Sequence, residues 1–173
     1  MMQATSLKDL NAMSRADFVA VCGPFFECSP WIADRTWTMK PFAAREALHT
    51  AMRETVAGAT LDEKLDLITA HPDLVGEAAR RGSLTPESTA EQTAAGLGGL
   101  SPGDIARFSQ YNSEYRAKFG FPFVICAREN RKDAILKAFP LRLGNTREQE
   151  IATALTEIDK IARLRLFDAL SEP

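Results

Sequence analysis

The sequence predicts an all-α fold, a single multi-helix domain interrupted by one short buried extended segment. Three observations carry that prediction. Serine and threonine caps, followed three places on by an acidic or amide residue, recur along the chain. Between them, apolar residues return at intervals of three and four, the period of a helix face. Only Phe121-Pro122-Phe123-Val124-Ile125-Cys126-Ala127 has the β-branched and aromatic content of a strand, and no second run exists to pair with it.

Ser6 and Ser14 precede Asp9 and Asp17, so two short helices open the chain. Ser29-Pro30 predicts a third helix, with Ser29 as cap and Pro30 at the first helical position, where its missing N–H costs nothing. Residues 41–57 carry Phe42, Leu48, Met52 and Val56 at helical spacing, and Gly58 stops that helix. Residues 61–70 place Leu61, Leu65 and Ile68 on one face. His71-Pro72 ends the helix, because the residue before a proline is pushed out of the helical region.

Ser88-x-x-Glu91 reads as a capping box opening a short helix that Gly96 ends. Ser101-Pro102 opens the next helix, with Ile105, Phe108, Tyr111 or Asn112, and Tyr115 facing inward, and Phe119-Gly120 closes it. Residues 121–127 are then a buried passage between helices. The last helix starts at Thr146, with Gln149 completing its box, and Ile151, Leu155, Ile158 and Ala162 form an inner stripe that reaches Arg165. No internal repeat, low-complexity tract or linker divides residues 1–173.

Composition narrows the function classes. Apolar residues are 45% and charged residues 25% of the 173, the balance of a soluble globular protein. Basic and acidic residues, 21 and 23, are mixed to a net charge of −2, which gives no electrostatic reason for nucleic acid or an anionic membrane as partner. No stretch approaches the ~20 apolar residues of a membrane span. The start of the chain lacks the basic and apolar run of a secretory signal, so the cytoplasm is expected. Cys22, Cys28 and Cys126 form no CxxC, and there are only two histidines, so no metal site is expected and the cysteines read as reduced thiols. Cys126 as a nucleophile is the weaker reading, with no histidine near it in sequence.

Two segments could carry chemistry. His71 sits at a helix end before a proline, so its ring projects from a bend, and histidine is the side chain matched to proton transfer near neutral pH. It could equally bond the last free carbonyls of its helix. Glu91 could be only the far half of its capping box. The same helix start could instead hold an anion with its N–H groups, the Ser88 hydroxyl and the Gln92 amide while Glu91 handles a proton. Arg165 falls on an apolar stripe, a costly place for a charge unless it meets an anion, or else it snorkels outward. Arg128 is another anion candidate, but Arg131 and Lys132 beside it read as a solvated cluster. His49 reads as structural or surface, and Trp31 and Trp37 as core or interface anchors.

Five strings, in order, resemble one family. They are Phe18 to Trp31, containing Phe26-Glu27-Cys28-Ser29-Pro30-Trp31; Ala70-His71-Pro72-Asp73-Leu74-Val75-Gly76; Ser88-Thr89-Ala90-Glu91-Gln92 with the residues to Leu97; Tyr111-Asn112 with Tyr115 to Cys126; and Glu157 to Leu166. The family is 2-oxo-4-hydroxy-4-carboxy-5-ureidoimidazoline (OHCU) decarboxylase, which forms (S)-allantoin at the end of urate breakdown. The resemblance implies a cofactor-free, all-helical carboxy-lyase that is usually a homodimer, coupled in function to urate oxidase and hydroxyisourate hydrolase. It implies His71 and Glu91 as catalytic residues. It also implies substrate contacts from Pro72, Ser88, Gln92, the backbone of Phe123, Val124, Ile125, Cys126 and Ala127, and an arginine of the last helix. Arg165 is preferred to Arg163 for its inward phase. The alternatives are a lyase or hydrolase acting on a related ureido compound, and a helical binding module in which His71 and Glu91 are only caps.

Overall fold

Side-chain caps begin several of the helices, and their geometry follows the predicted pattern. The structure is a computed structural model that describes residues 3–172. In chain order the helices are α1 (Leu7–Ala12), α2 (Arg15–Cys22), α3 (Trp31–Thr36), α4 (Arg45–Ala57), α5 (Leu61–Thr69), α6 (Glu77–Arg81), α7 (Pro86–Ala94), α8 (Pro102–Phe119), α9 (Lys132–Leu143) and α10 (Arg147–Ala169). Ser6, Ser14 and Ser101 each accept the N–H three residues on. Thr146 and Gln149 make the reciprocal bonds of a capping box, at 3.2 and 2.9 Å. Gly120 ends α8 at φ +81°, a conformation that favours glycine. Among the described residues no helix is long and apolar enough to cross a membrane.

The chain divides into two compact units. The first contains the residues up to Leu67 together with those from Asp159 onward. In it α3 packs on α2 and α4 around Phe18, Ile32, Leu48 and Met52. Two-residue strands, β1 (Thr5–Ser6) and β2 (Leu170–Ser171), pair in parallel. His49 is buried, with Nε2 2.8 Å from Asp159. Trp31 and Trp37 are half-buried, under Arg35 in one case and Lys40 in the other.

Three boundaries in this unit differ from the sequence expectation. Helix α3 starts at Trp31 without a side-chain cap, because the Ser29 hydroxyl donates instead to the Glu27 carbonyl. Helix α4 starts at Arg45, not Pro41. Asn11 holds the backbone of Phe42 on both sides, accepting its N–H at 2.8 Å and donating to its carbonyl at 2.9 Å, so that stretch is drawn off the helix. Leu61 is exposed rather than inward, and Leu67 and Ile68 form the buried edge of α5.

The second unit runs from Ile68 to Ile158. Its core is aromatic. Phe123 stacks on Phe139 with centroids 3.9 Å apart, and Tyr115 meets Phe123 edge-on at 5.3 Å. Residues 121–126 have no regular structure yet are buried throughout, and a 3-10 turn at Ala127–Glu129 follows, as the expected buried passage requires. On α10 the buried residues include Glu150, Ala154, Glu157, Ile158, Ile161, Ala162, Arg165 and Leu166; Ile151 and Leu155 are half-buried, so the stripe is rotated slightly from the expected phase.

Replacing Ser101 with Ala removes the cap of α8 and is expected to destabilise the protein by about 1 kcal/mol. Urea denaturation checks this, and an unchanged midpoint would contradict the assigned cap.

Candidate active site

Helix α7 supplies the densest set of buried polar groups in the second unit. Its start differs from the sequence expectation: the cap is Thr85, whose hydroxyl accepts the Ser88 N–H at 3.2 Å, with Pro86 at the first helical position. Ser88 and Glu91 therefore lie inside the helix rather than at its mouth. Spacing of three and four residues puts Ser88, Glu91 and Gln92 on one face, and all three are buried. A buried polar face needs hydrogen-bond partners, and Gln92 finds one in the loop after α5.

The loop after α5 meets that face. His71 follows the end of α5, donates its own N–H to the Ile68 carbonyl at 3.1 Å, and is buried at 6% exposure. Gln92 Oε1 accepts the Val75 N–H at 3.1 Å, so the NH2 end of its amide is the end that can meet a ligand. Asn112, on α8, donates Nδ2 to the Leu74 carbonyl at 2.9 Å, and Arg116 holds Asp73 at 3.0 Å. Asn112 Oδ1 is buried without a hydrogen-bond partner among the described residues, a state that costs about 1–3 kcal/mol unless a ligand relieves it.

The backbone of this loop is also constrained. Val75 takes φ +53°, a left-handed conformation that β-branched residues avoid and that concentrates at functional sites. At Gly76 a Cβ would lie 2.8 Å from the Asp73 Cβ, so the turn admits only glycine. Loop 71–76 is thus pinned by α7 and α8 together.

The buried passage is the third wall. Helix α7 packs against the 3-10 turn that begins at Ala127. The Cys126 thiol, pushed up to about 11 by burial first, also feels the Glu91 carboxylate, which places Cys126 near it. Burial that favours the neutral thiol speaks against Cys126 as a nucleophile.

The structure thus brings together His71, Pro72, Ser88, Glu91, Gln92 and the segment from Phe123 to Ala127 in one unit. Arg163 and Arg165, late in α10, lie beyond Asp159, in the other unit. Arg163 is half exposed, pairs with Glu46 and lies over the Phe167 ring. Arg165 is buried, donating Nη2 to Glu27 at 2.9 Å and Nη1 to the Pro24 carbonyl at 3.0 Å. The inward phase expected of Arg165 is observed, and its guanidinium is oriented by a protein carboxylate. No cluster of three or more His, Cys, Asp or Glu suited to a metal ion occurs among the described residues.

Asn112 and Gly76 fall within the family strings, without a role of their own in the sequence expectation. Asn112 had a signal, since it is an amide on the otherwise apolar inner stripe of α8. Thr85 also had one, a threonine directly before a proline.

Fold and site together define a helical protein that buries a histidine, a glutamate and two amides within one unit. The family model for OHCU decarboxylase matches residues 11–167. The OHCU decarboxylase of Amia calva is 40% identical over 167 residues, 96% of this chain and 95% of that protein. That of Halalkalicoccus jeotgali is 41% identical over 165 residues, 95% of this chain and 92% of that protein. The crystal structure of (S)-allantoin synthase superposes with a TM-score of 0.76 at 28% identity, covering 96% of this chain; the chain spans 54% of that longer one. This chain belongs to the OHCU decarboxylase family.

Thiol chemistry tests the assigned environments. Cys28 is exposed, whereas burial pushes Cys22 up to about 12 and Cys126 up to about 11. Iodoacetamide at pH 8 is expected to label Cys28 alone in the folded protein. Mass spectrometry showing Cys126 labelled equally fast would contradict its placement.

Proposed function

We propose that this protein decarboxylates OHCU to (S)-allantoin and carbon dioxide, with His71 and Glu91 as its catalytic residues. The observation that carries the assignment of the site is the convergence of three separate segments. The His71 loop, the polar face of α7 and the buried passage after Phe121 are held together by the Gln92–Val75 hydrogen bond and by the packing of α7 on the Ala127 turn. A helix cap needs no such convergence, and a core stripe would not bury a histidine, a serine, a glutamate and a glutamine together.

The chemistry asks little beyond what this site holds. The substrate's carboxylate is attached to a carbon adjacent to a ring C=N. When the bond to the carboxylate breaks, its electron pair forms a ring C=C, and the C=N nitrogen takes up the displaced pair and a proton. The hydroxyl on the carbon that lost carbon dioxide then gives up its proton and becomes the carbonyl, while the ureido-bearing carbon gains a proton on one face. The net change is uptake of one proton and loss of carbon dioxide. The substrate supplies its own electron sink, so the protein must hold the carboxylate out of the ring plane and deliver protons on a fixed face.

His71 moves the proton at the hydroxyl or the ring. Glu91 shares that traffic and orients the substrate, with Ser88, Pro72 and the Gln92 NH2 group as contacts. The backbone of Phe123, Val124, Ile125, Cys126 and Ala127 lines the site. Arg165, not the surface Arg163, is the arginine that fits the role the family resemblance implies. The resemblance also supports a cytoplasmic homodimer, needing no cofactor, that receives its substrate from urate oxidase followed by hydroxyisourate hydrolase.

His71→Asn tests the assignment. Turnover is expected to fall on the order of 100- to 10,000-fold, with stability changed by no more than ~1 kcal/mol. Carbon dioxide release and urea denaturation measure the two. Activity retained at the wild-type level would remove His71 from the mechanism.

A further inference from the structure

Behind the buried passage lies a polar cluster that the proposed chemistry does not use. Arg142 is in the last turn of α9, on the stripe Ile135, Leu136, Phe139 and Arg142 that faces inward. Its guanidinium donates in three directions: Nε to Glu150 at 2.7 Å, Nη1 to the Val124 carbonyl at 2.6 Å, and Nη2 to the Tyr115 hydroxyl at 3.4 Å. The guanidinium also lies over the Phe123 ring, 4.2 Å from its centroid. Glu150, wholly buried, in turn accepts the Tyr115 hydroxyl at 2.5 Å and the Asn145 amide at 2.9 Å. Burial above all, with Glu150 beside it, pushes the Tyr115 hydroxyl far up, so it remains a donor.

A buried ion pair is weak evidence for stability, because desolvating two charges offsets most of their attraction and apolar residues of similar volume often serve as well. This pair does something an apolar replacement cannot do. Residues 121–126 have no strand beside them, and the Val124 carbonyl is buried with them. One branch of the guanidinium fills that carbonyl while the other two fix the guanidinium in place, and the planar fork of arginine suits three directions at once.

We propose that Arg142 is a positioning residue of the active site: held by Glu150 and Tyr115, it sets the register of Phe123–Ala127 by gripping Val124. This rests on the reading of that segment as the wall of the substrate site. Arg142 touches no substrate. Its effect passes through the backbone that does.

The test uses the full chain and (S)-allantoin as probe. Arg142→Lys keeps a buried cation for Glu150 but cannot reproduce the fork. The expected result is a weakening of (S)-allantoin binding by about tenfold, read by calorimetry, and a parallel rise in KM for OHCU, with kcat within about threefold of wild type. A purely structural role would lower the active fraction, reducing kcat and leaving KM and the affinity of the folded protein alone. Ser101→Ala, a cap removed elsewhere in the same unit, is the control for that pattern.

Tyr115→Phe is the second variant, for the case in which Arg142→Lys does not fold. It removes only the hydroxyl and is expected to raise both constants two- to fivefold. Wild-type affinity and KM in whichever variant folds would overturn the inference while leaving the decarboxylase reading intact. A wild-type protein with neither turnover of OHCU nor affinity for (S)-allantoin would sink both.

Discussion

The Val124 carbonyl lies in a buried stretch of chain with no strand alongside, and it is the Arg142 guanidinium that satisfies it. Buried backbone needs partners, and helices and sheets usually supply them internally. An irregular segment must find them elsewhere. Here Arg142 of α9 reaches the carbonyl, and Tyr115 of α8 and Glu150 of α10 hold its guanidinium. The aromatic stack of Phe123 on Phe139 then has a fixed backbone to pack against.

The same logic governs the loop that carries His71. Gln92 takes the Val75 N–H and Asn112 takes the Leu74 carbonyl, so α7 and α8 hold neighbouring peptide groups of one short loop. The left-handed Val75 is kept in place by those bonds, and Gly76 permits the close approach to Asp73 that completes the turn. Strain held by surrounding structure is a means of fixing a side chain in advance, and His71 stands at the head of this loop. Packing, backbone strain and the position of His71 are therefore linked through two amide side chains.

Much of this was legible in the sequence, and the failures are informative. The caps at Ser6, Ser14, Ser101 and Thr146 worked because a cap is a local interaction between residues three apart. Ser29 departs from the pattern because the Glu27 carbonyl two residues back takes its hydroxyl into a turn, and the start of α4 because a distant partner, Asn11, claims the backbone at Phe42. Ser88 and Glu91 were read as a helix mouth, yet Thr85-Pro86 supplies a stronger start three residues earlier. The error moved both residues from a helix end to a buried helix face. The short β1–β2 pair joins residues more than 160 apart along the chain, which no local pattern can announce. For the site, His71 and the α7 residues stood out through the family strings and their residue types. Asn112 lies in a family string and on the inner stripe of α8, but its bond to Leu74, like the grip of Arg142 on Val124, shows only when the partners are known.

If decarboxylation is stereospecific, the chirality of the product shows it. OHCU is generated in place from urate by urate oxidase and hydroxyisourate hydrolase, this protein is added, and circular dichroism follows the allantoin formed. The expected result is a rapid signal of the (S) enantiomer whose initial rate rises in proportion to protein concentration. Slow formation of racemic allantoin, at a rate indifferent to the protein, would contradict stereospecific decarboxylation.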